Sequence, residues 1–302
     1  MNPTRQPDAT PSSSSPLRDR TPEIPIAVRT ARFALVGSFR AALGPDAWEA
    51  ADPRRSRAIV REVSLEQPDF VALLGNLVFC GSSEDAWLEY DRLIAPLKSG
   101  GVSVYPALGN HEYWLSSRSA LSKYFGRFPR LGGRRWYAAR YGALGLAFLD
   151  SNAQWLSPAL WRDQCAWLDG LLRAWDADEA IRGSLVLLHH APFVRARATA
   201  DTQRVQRDIV PVFGSARKTL AIVAGHPQGE PRHERGKAFL VASSRPEETP
   251  RRGRRPETGT PSPFLWLSAL CDGTRVTIET RRLEGDETSA VTAERIDLPF
   301  AP

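Results

Sequence analysis

The chain has 302 residues, 42% of them hydrophobic, and a net charge of +6. That length holds one large α/β domain or two small ones, with apolar residues enough for a sizeable core. No apolar run reaches the roughly 18 residues that span a bilayer, and no DNA- or RNA-binding motif accompanies the charge, so membrane and nucleic-acid partners are set aside. The positive charge comes from arginine, since Lys98, Lys123, Lys218 and Lys237 are the only lysines, and it suits a phosphate-bearing partner. Cys80, Cys165 and Cys271 are odd in number and form no CxxC pair, which fits a reduced, intracellular protein.

Residues 1–28 are rich in Pro, Ser and charge and lack the apolar core of a signal peptide. They are expected to be a disordered tail on a cytoplasmic protein, and 29–302 to form a single domain. Arg32 to Val36 reads as a buried strand, followed by Gly37-Ser38-Phe39-Arg40. Residues 46–65 read as a helix, and Asp69 to Leu74 as a strand ending in Gly75-Asn76. Glu84 to about Ala95 is predicted helical, with Pro96 ending it. Val102 to Leu108 is the third strand and leads into Gly109-Asn110-His111-Glu112. Ser117 to Phe128 is predicted helical, and Arg135–Tyr141 and Leu144–Leu149 form a hairpin around Gly142. A long helix runs from Pro158 to Trp175 with Ser157 as N-cap.

Leu185 to Leu188 is a buried strand before His189-His190-Ala191-Pro192, and Leu220 to Ala224 another before Gly225-His226-Pro227-Gln228. Phe239 to Ala242 reads as a short strand, and 245–262 as a mobile Pro/Arg/Gly-rich loop. Phe264–Cys271 and Arg275–Arg281 flank Asp272-Gly273 as a second hairpin. Strands alternating with helices, followed by hairpins, predict an α/β fold with mixed sheets. Ligands bind such folds beyond the carboxyl ends of the strands. Four of the five histidines lie at those ends, which predicts one convergent site.

The order Gly37-Ser38-x-Arg40, Gly75-Asn76, Gly109-Asn110-His111-Glu112, His190-x-Pro192 and Gly225-His226-x-Gln228 resembles the calcineurin-like metallophosphoesterases, nearest to their purple-acid-phosphatase branch. The likeness covers roughly residues 31–285. It implies a four-layer α/β/β/α sandwich around two mixed sheets. It also implies two metal ions that activate a water for in-line attack on phosphorus. Carried over, Asn110, His190 and His226 are metal ligands and His111 is the catalytic histidine that serves the leaving oxygen.

The departures set the expectation. Ser38 replaces the family's first aspartate, Arg40 a frequent histidine, Asn76 the bridging aspartate, and Gln228 the last histidine. Every aligned ligand is therefore neutral, whereas two adjacent divalent ions need carboxylates to offset their repulsion. The sequence predicts at most one weakly bound ion (zinc, iron or manganese) on Asn110, His190 and His226, with Asn76 a poor neutral ligand, or no ion at all. Arg40, if turned into the vacated position, would bind phosphate through its guanidinium. Two functions follow. One is a weak or inactive hydrolase that binds a phosphate-bearing molecule or a protein partner. The other is a phosphoric-ester hydrolase that uses a single metal, with His111 as general acid. Glu112 is expected to fix its loop through hydrogen bonds, and His233 to lie on a surface loop.

Overall fold

The computed structural model describes residues 23–24, 30–38, 53–194, 197–226, 229–234, 236–243, 265–284 and 289–300. Most of the expected tail, the whole 245–262 loop, Arg40 and Gln228 lie outside them.

The chain builds β1 (Glu23–Ile24), β2 (Ala31–Val36), α1 (Pro53–Leu65), β3 (Phe70–Leu74), α2 (Glu84–Ser99), β4 (Ser103–Ala107) and α3 (Ser117–Arg127). It continues through β5 (Tyr137–Tyr141), β6 (Leu144–Phe148), α4 (Pro158–Ala177), β7 (Gly183–Leu188), α5 (Ala200–Arg204) and α6 (Val210–Ser215). The last strands are β8 (Thr219–Ala224), β9 (Arg232–Glu234), β10 (Lys237–Val241), β11 (Leu265–Cys271), β12 (Arg275–Glu284) and β13 (Ser289–Pro299). One sheet has the order β1-β5-β6-β7-β8-β10-β9, the other β13-β12-β11-β2-β3-β4. Both are mixed: β6, β7, β8 and β10 run parallel, as do β2, β3 and β4, while the hairpins add antiparallel strands.

The pleat sorts the apolar runs into layers, because successive side chains point to opposite faces. Leu185 and Leu187 enter the core between the sheets, whereas Val186 and Leu188 pack with Leu168, Leu172 and Trp175 of α4. Aromatic rings tie one sheet to the other. Phe70 of β3 lies 5.2 Å from Tyr141 of β5, and Tyr105 of β4 stacks on Phe148 of β6. On the far side of the second sheet, Ile59, Val63, Trp87 and Ile94 of α1 and α2 join the same core. The result is the expected α/β/β/α sandwich. Each such buried side chain contributes about 1.5–3 kcal/mol of transfer free energy.

Three readings need correction. Pro96 does not end α2, which runs on to Ser99. Proline there forfeits one late helical bond, and Leu97, 1% exposed, keeps the last turn seated. Strand β13 has no counterpart in the sequence reading. Its residues are mostly exposed, as befits an edge strand, and only its end alternates, with Ile296 and Leu298 turned toward the core between exposed Arg295, Asp297 and Pro299. Inside the segment read as a tail, Glu23–Ile24 pairs parallel with Arg140–Tyr141. Ser157 does cap α4, accepting from Leu160 N. Among the described residues no helix is long and apolar enough to cross a membrane.

Candidate functional site

The carboxyl ends of β2, β3 and β4 in one sheet meet those of β7 and β8 in the other. Glycine makes the meeting possible. A Cβ on Gly225 would collide with the Leu74 carbonyl, and one on Gly37 would stand 2.6 Å from Gly225 Cα. Backbone therefore lies against backbone where the sheets join, and Ser38 Oγ donates to Gly225 O at 3.2 Å across that join. Ser38 and Asn76 both hold positive φ, 51° and 53°, a conformation that costs a non-glycine residue energy and recurs at functional sites.

Glu112 fixes the loops after β3 and β4 to each other. Its buried carboxylate accepts from the backbone N–H groups of Asn76 (2.8 Å), Leu77 (2.7 Å), Val78 (3.3 Å) and Gly109 (2.7 Å). Burial raises its pKa above the usual carboxylate range, and the four N–H bonds oppose that rise. This is the role expected of it. Asn76 Oδ1 accepts from His111 N at 3.1 Å, while Asn76 Nδ2 is buried and has no hydrogen-bond partner among the described residues.

His111 opens a 3-10 turn, His111–Tyr113, and is 2% exposed. Its Nδ1 lies 2.6 Å from Phe79 O, which sets Nδ1 as the donor. Trp114 stacks on its ring at 3.8 Å. One face is thereby covered, and proton exchange with a ligand would run through Nε2.

From the other sheet come three imidazoles. Ligand atoms of His189, His190 and His226 all lie within 4.8 Å of one another. His189 is fully buried; its Nδ1 faces Leu74 O at 2.9 Å and its Nε2 faces Asn110 Oδ1 at 3.1 Å. Burial, then the neighbouring histidines, holds its pKa well below the usual imidazole range. His190 packs against His226, with ring centroids 5.4 Å apart. Ser151 Oγ accepts the His190 backbone N–H at 2.8 Å and stands 3.1 Å from its Nδ1. Burial lowers the His190 pKa too, and the nearby Asp201 carboxylate opposes the shift.

The calcineurin-like phosphoesterase model matches residues 51–226, which contain all three imidazoles and the Gly109–Glu112 turn. The chain belongs to that family. A dimetal phosphatase from Danio rerio is similar in structure, with 16% identity and a TM-score of 0.61 over 90% of this chain and 99% of that one. GAP50, the anchor in the inner membrane complex of Plasmodium, is similar at 10% identity and a TM-score of 0.64, over 90% of each chain. At such identities the likeness is one of fold. No curated protein matches this chain by sequence.

Set on the phosphoesterase fold, Ser38, Asn76, Asn110, His111, His190 and His226 all lie at the joined strand ends. Arg40 and Gln228 fall outside the described residues. His233 is exposed, in β9. Sequence reasoning missed three residues. His189 belongs to the imidazole group and touches Asn110. Ser151, in the Leu149-Asp150-Ser151-Asn152 stretch before α4, holds His190 through its hydroxyl. Asp201, at the start of α5, is 4% exposed and brings Oδ2 to 3.8 Å from His190 Nε2. Nothing at a strand end announces it; only Thr199, which caps α5 through Thr202 N, marks the helix.

Proposed function

We propose that this phosphoesterase-family protein binds one divalent cation on His190, His226 and Asn110, and through it a phosphate-bearing ligand, with little or no binuclear hydrolysis. The observation that carries this is the pairing of a three-imidazole group with neutral residues, Ser38 and Asn76, where the family pattern has aspartates. Imidazole nitrogens fit zinc, iron(II) or manganese. Among the described residues, the positions of the family's first and bridging aspartates offer a second cation only neutral oxygens, and Asn76 Oδ1 already accepts from His111 N–H. Asn76 Nδ2 is instead a buried donor in need of an acceptor, a demand that a phosphate oxygen meets better than a cation.

A bound cation would supply positive charge to polarise a phosphoryl oxygen. The chain's own residues would do the rest. His189 Nδ1 anchors the ring to Leu74 O and thereby steadies Asn110. Ser151 holds His190. His111, its ring fixed by Phe79 O and Trp114, presents Nε2. That fixed ring favours a second reading, slow single-metal ester hydrolysis in which His111 exchanges a proton with the leaving oxygen.

Elemental mass spectrometry of protein produced with zinc, manganese and iron, then desalted, tests the proposal, paired with turnover of an aryl phosphate. About one ion per chain and negligible turnover is expected. About two ions with sustained turnover would overturn it. About one ion with slow turnover abolished by His111→Ala would favour the second reading.

A further inference from the structure

The aligned ligands are all neutral, so any cation they hold would keep its full charge in a buried site. Asp201 changes that. Its carboxylate is buried, and both oxygens are fixed by Gln154: Oδ1 accepts the backbone N–H and Oδ2 the side-chain amide, each at 3.0 Å. A buried carboxylate is costly unless paired. On its ligand-facing side, Oδ2 lies 3.8 Å from His190 Nε2.

Which nitrogen of His190 faces a ligand is settled by Ser151. The serine hydroxyl stands at Nδ1, so Nε2 is the nitrogen a cation would meet. Asp201 Oδ2 therefore lies on the ligand side of the ring and not behind it. Donor atoms about 2.1 Å from a tetrahedral ion lie roughly 3.4 Å apart, so 3.8 Å is the spacing of two fellow ligands within a small side-chain adjustment. A carboxylate placed behind the ring would instead meet Nδ1.

We propose that Asp201 is the anionic ligand of the cation site, set on the ligand side of His190 and supplying the negative charge that Ser38 and Asn76 do not. The inference rests on the single-cation reading above. It assigns a ligand that comes from a helix start and not from a strand end. It also adds an anionic oxygen to a donor set that is otherwise neutral. An oxygen anion serves manganese more than it serves zinc, because the harder ion depends more on carboxylate.

The test is titration calorimetry of the full chain with zinc and, separately, manganese. Asp201→Asn is expected to weaken manganese binding about 100-fold and zinc binding about 10-fold. Gln154→Ala keeps the carboxylate but frees it, and is expected to weaken both about 3- to 10-fold. Thermal unfolding of each variant reports whether it is folded. If Asp201→Asn does not fold, Gln154→Ala decides: weakened binding supports the inference, unchanged binding overturns it. A folded Asp201→Asn protein with wild-type affinities overturns the inference and leaves the cation site standing. Wild-type protein that binds neither ion overturns this inference and the reading beneath it together.

Discussion

The two sheets bring strand ends to the same place in different chemical condition. In the sheet of β2, β3 and β4, three side chains at the site are spent on backbone. Ser38 bonds Gly225 O, Asn76 bonds His111 N, and Glu112 gathers four N–H groups. In the sheet of β7 and β8, His190 and His226 lie ring against ring beside a buried carboxylate. One half is held mainly by bonds to backbone and the other gathers imidazoles, so shape and donor supply can be measured apart.

The contrast breaks most sharply at Glu112. Glu112→Ala leaves four buried N–H groups without their acceptor and should cost about 3–5 kcal/mol in denaturant unfolding. A cost under about 1 kcal/mol would mean the loops hold their shape by other means.

Asp150 joins the halves, since it accepts from Tyr113 on one side and from Asn152 on the other. Burial pushes its pKa up to about 6, against the pull of those bonds. The folded state then binds the proton more tightly than the unfolded chain does. Stability should fall as pH rises from about 4 to about 6, by roughly 3 kcal/mol at most. Asp150→Asn should flatten that slope in melting curves, and an unchanged slope would remove Asp150 as its source.

The donor half is tested by affinity. His226→Ala should weaken cation binding about 100-fold, or about 2.7 kcal/mol, and His190→Ala likewise. Smallest is the effect of Ser38→Ala, expected within about 3-fold of wild type, because its hydroxyl already serves Gly225 O. Calorimetry that ranks Ser38 with the histidines would erase the contrast altogether.

Much of this was legible in the sequence because it depends on local rules. Apolar runs closed by Gly37, Gly75, Gly109 and Gly225 marked the strands and their ends, and a glutamate three residues past Gly109 read as a loop anchor. What the sequence hid depends on distance in the chain. Asp201 follows His190 by eleven residues in a segment of no pronounced pattern, and only packing brings it to the imidazole. His189 had no role legible in the sequence because adjacency in the chain says nothing of which carbonyl, here Leu74 O, waits across the join. β13 escaped because its first half is polar and exposed and the alternating stretch, from Ile296 on, is short. Pro96 misled because one residue's propensity weighs less than the burial of Leu97 beside it.

The closeness of Gly225 to Leu74 and Gly37 has a consequence for substitution. The contacts that weld the layers use no charge and no ion, so they do not notice which donors surround them. A Cβ at Gly37 or Gly225 would drive into facing backbone, so a substitution there is expected to open the join whatever donors surround it, while a change of donor leaves the backbone contact in place.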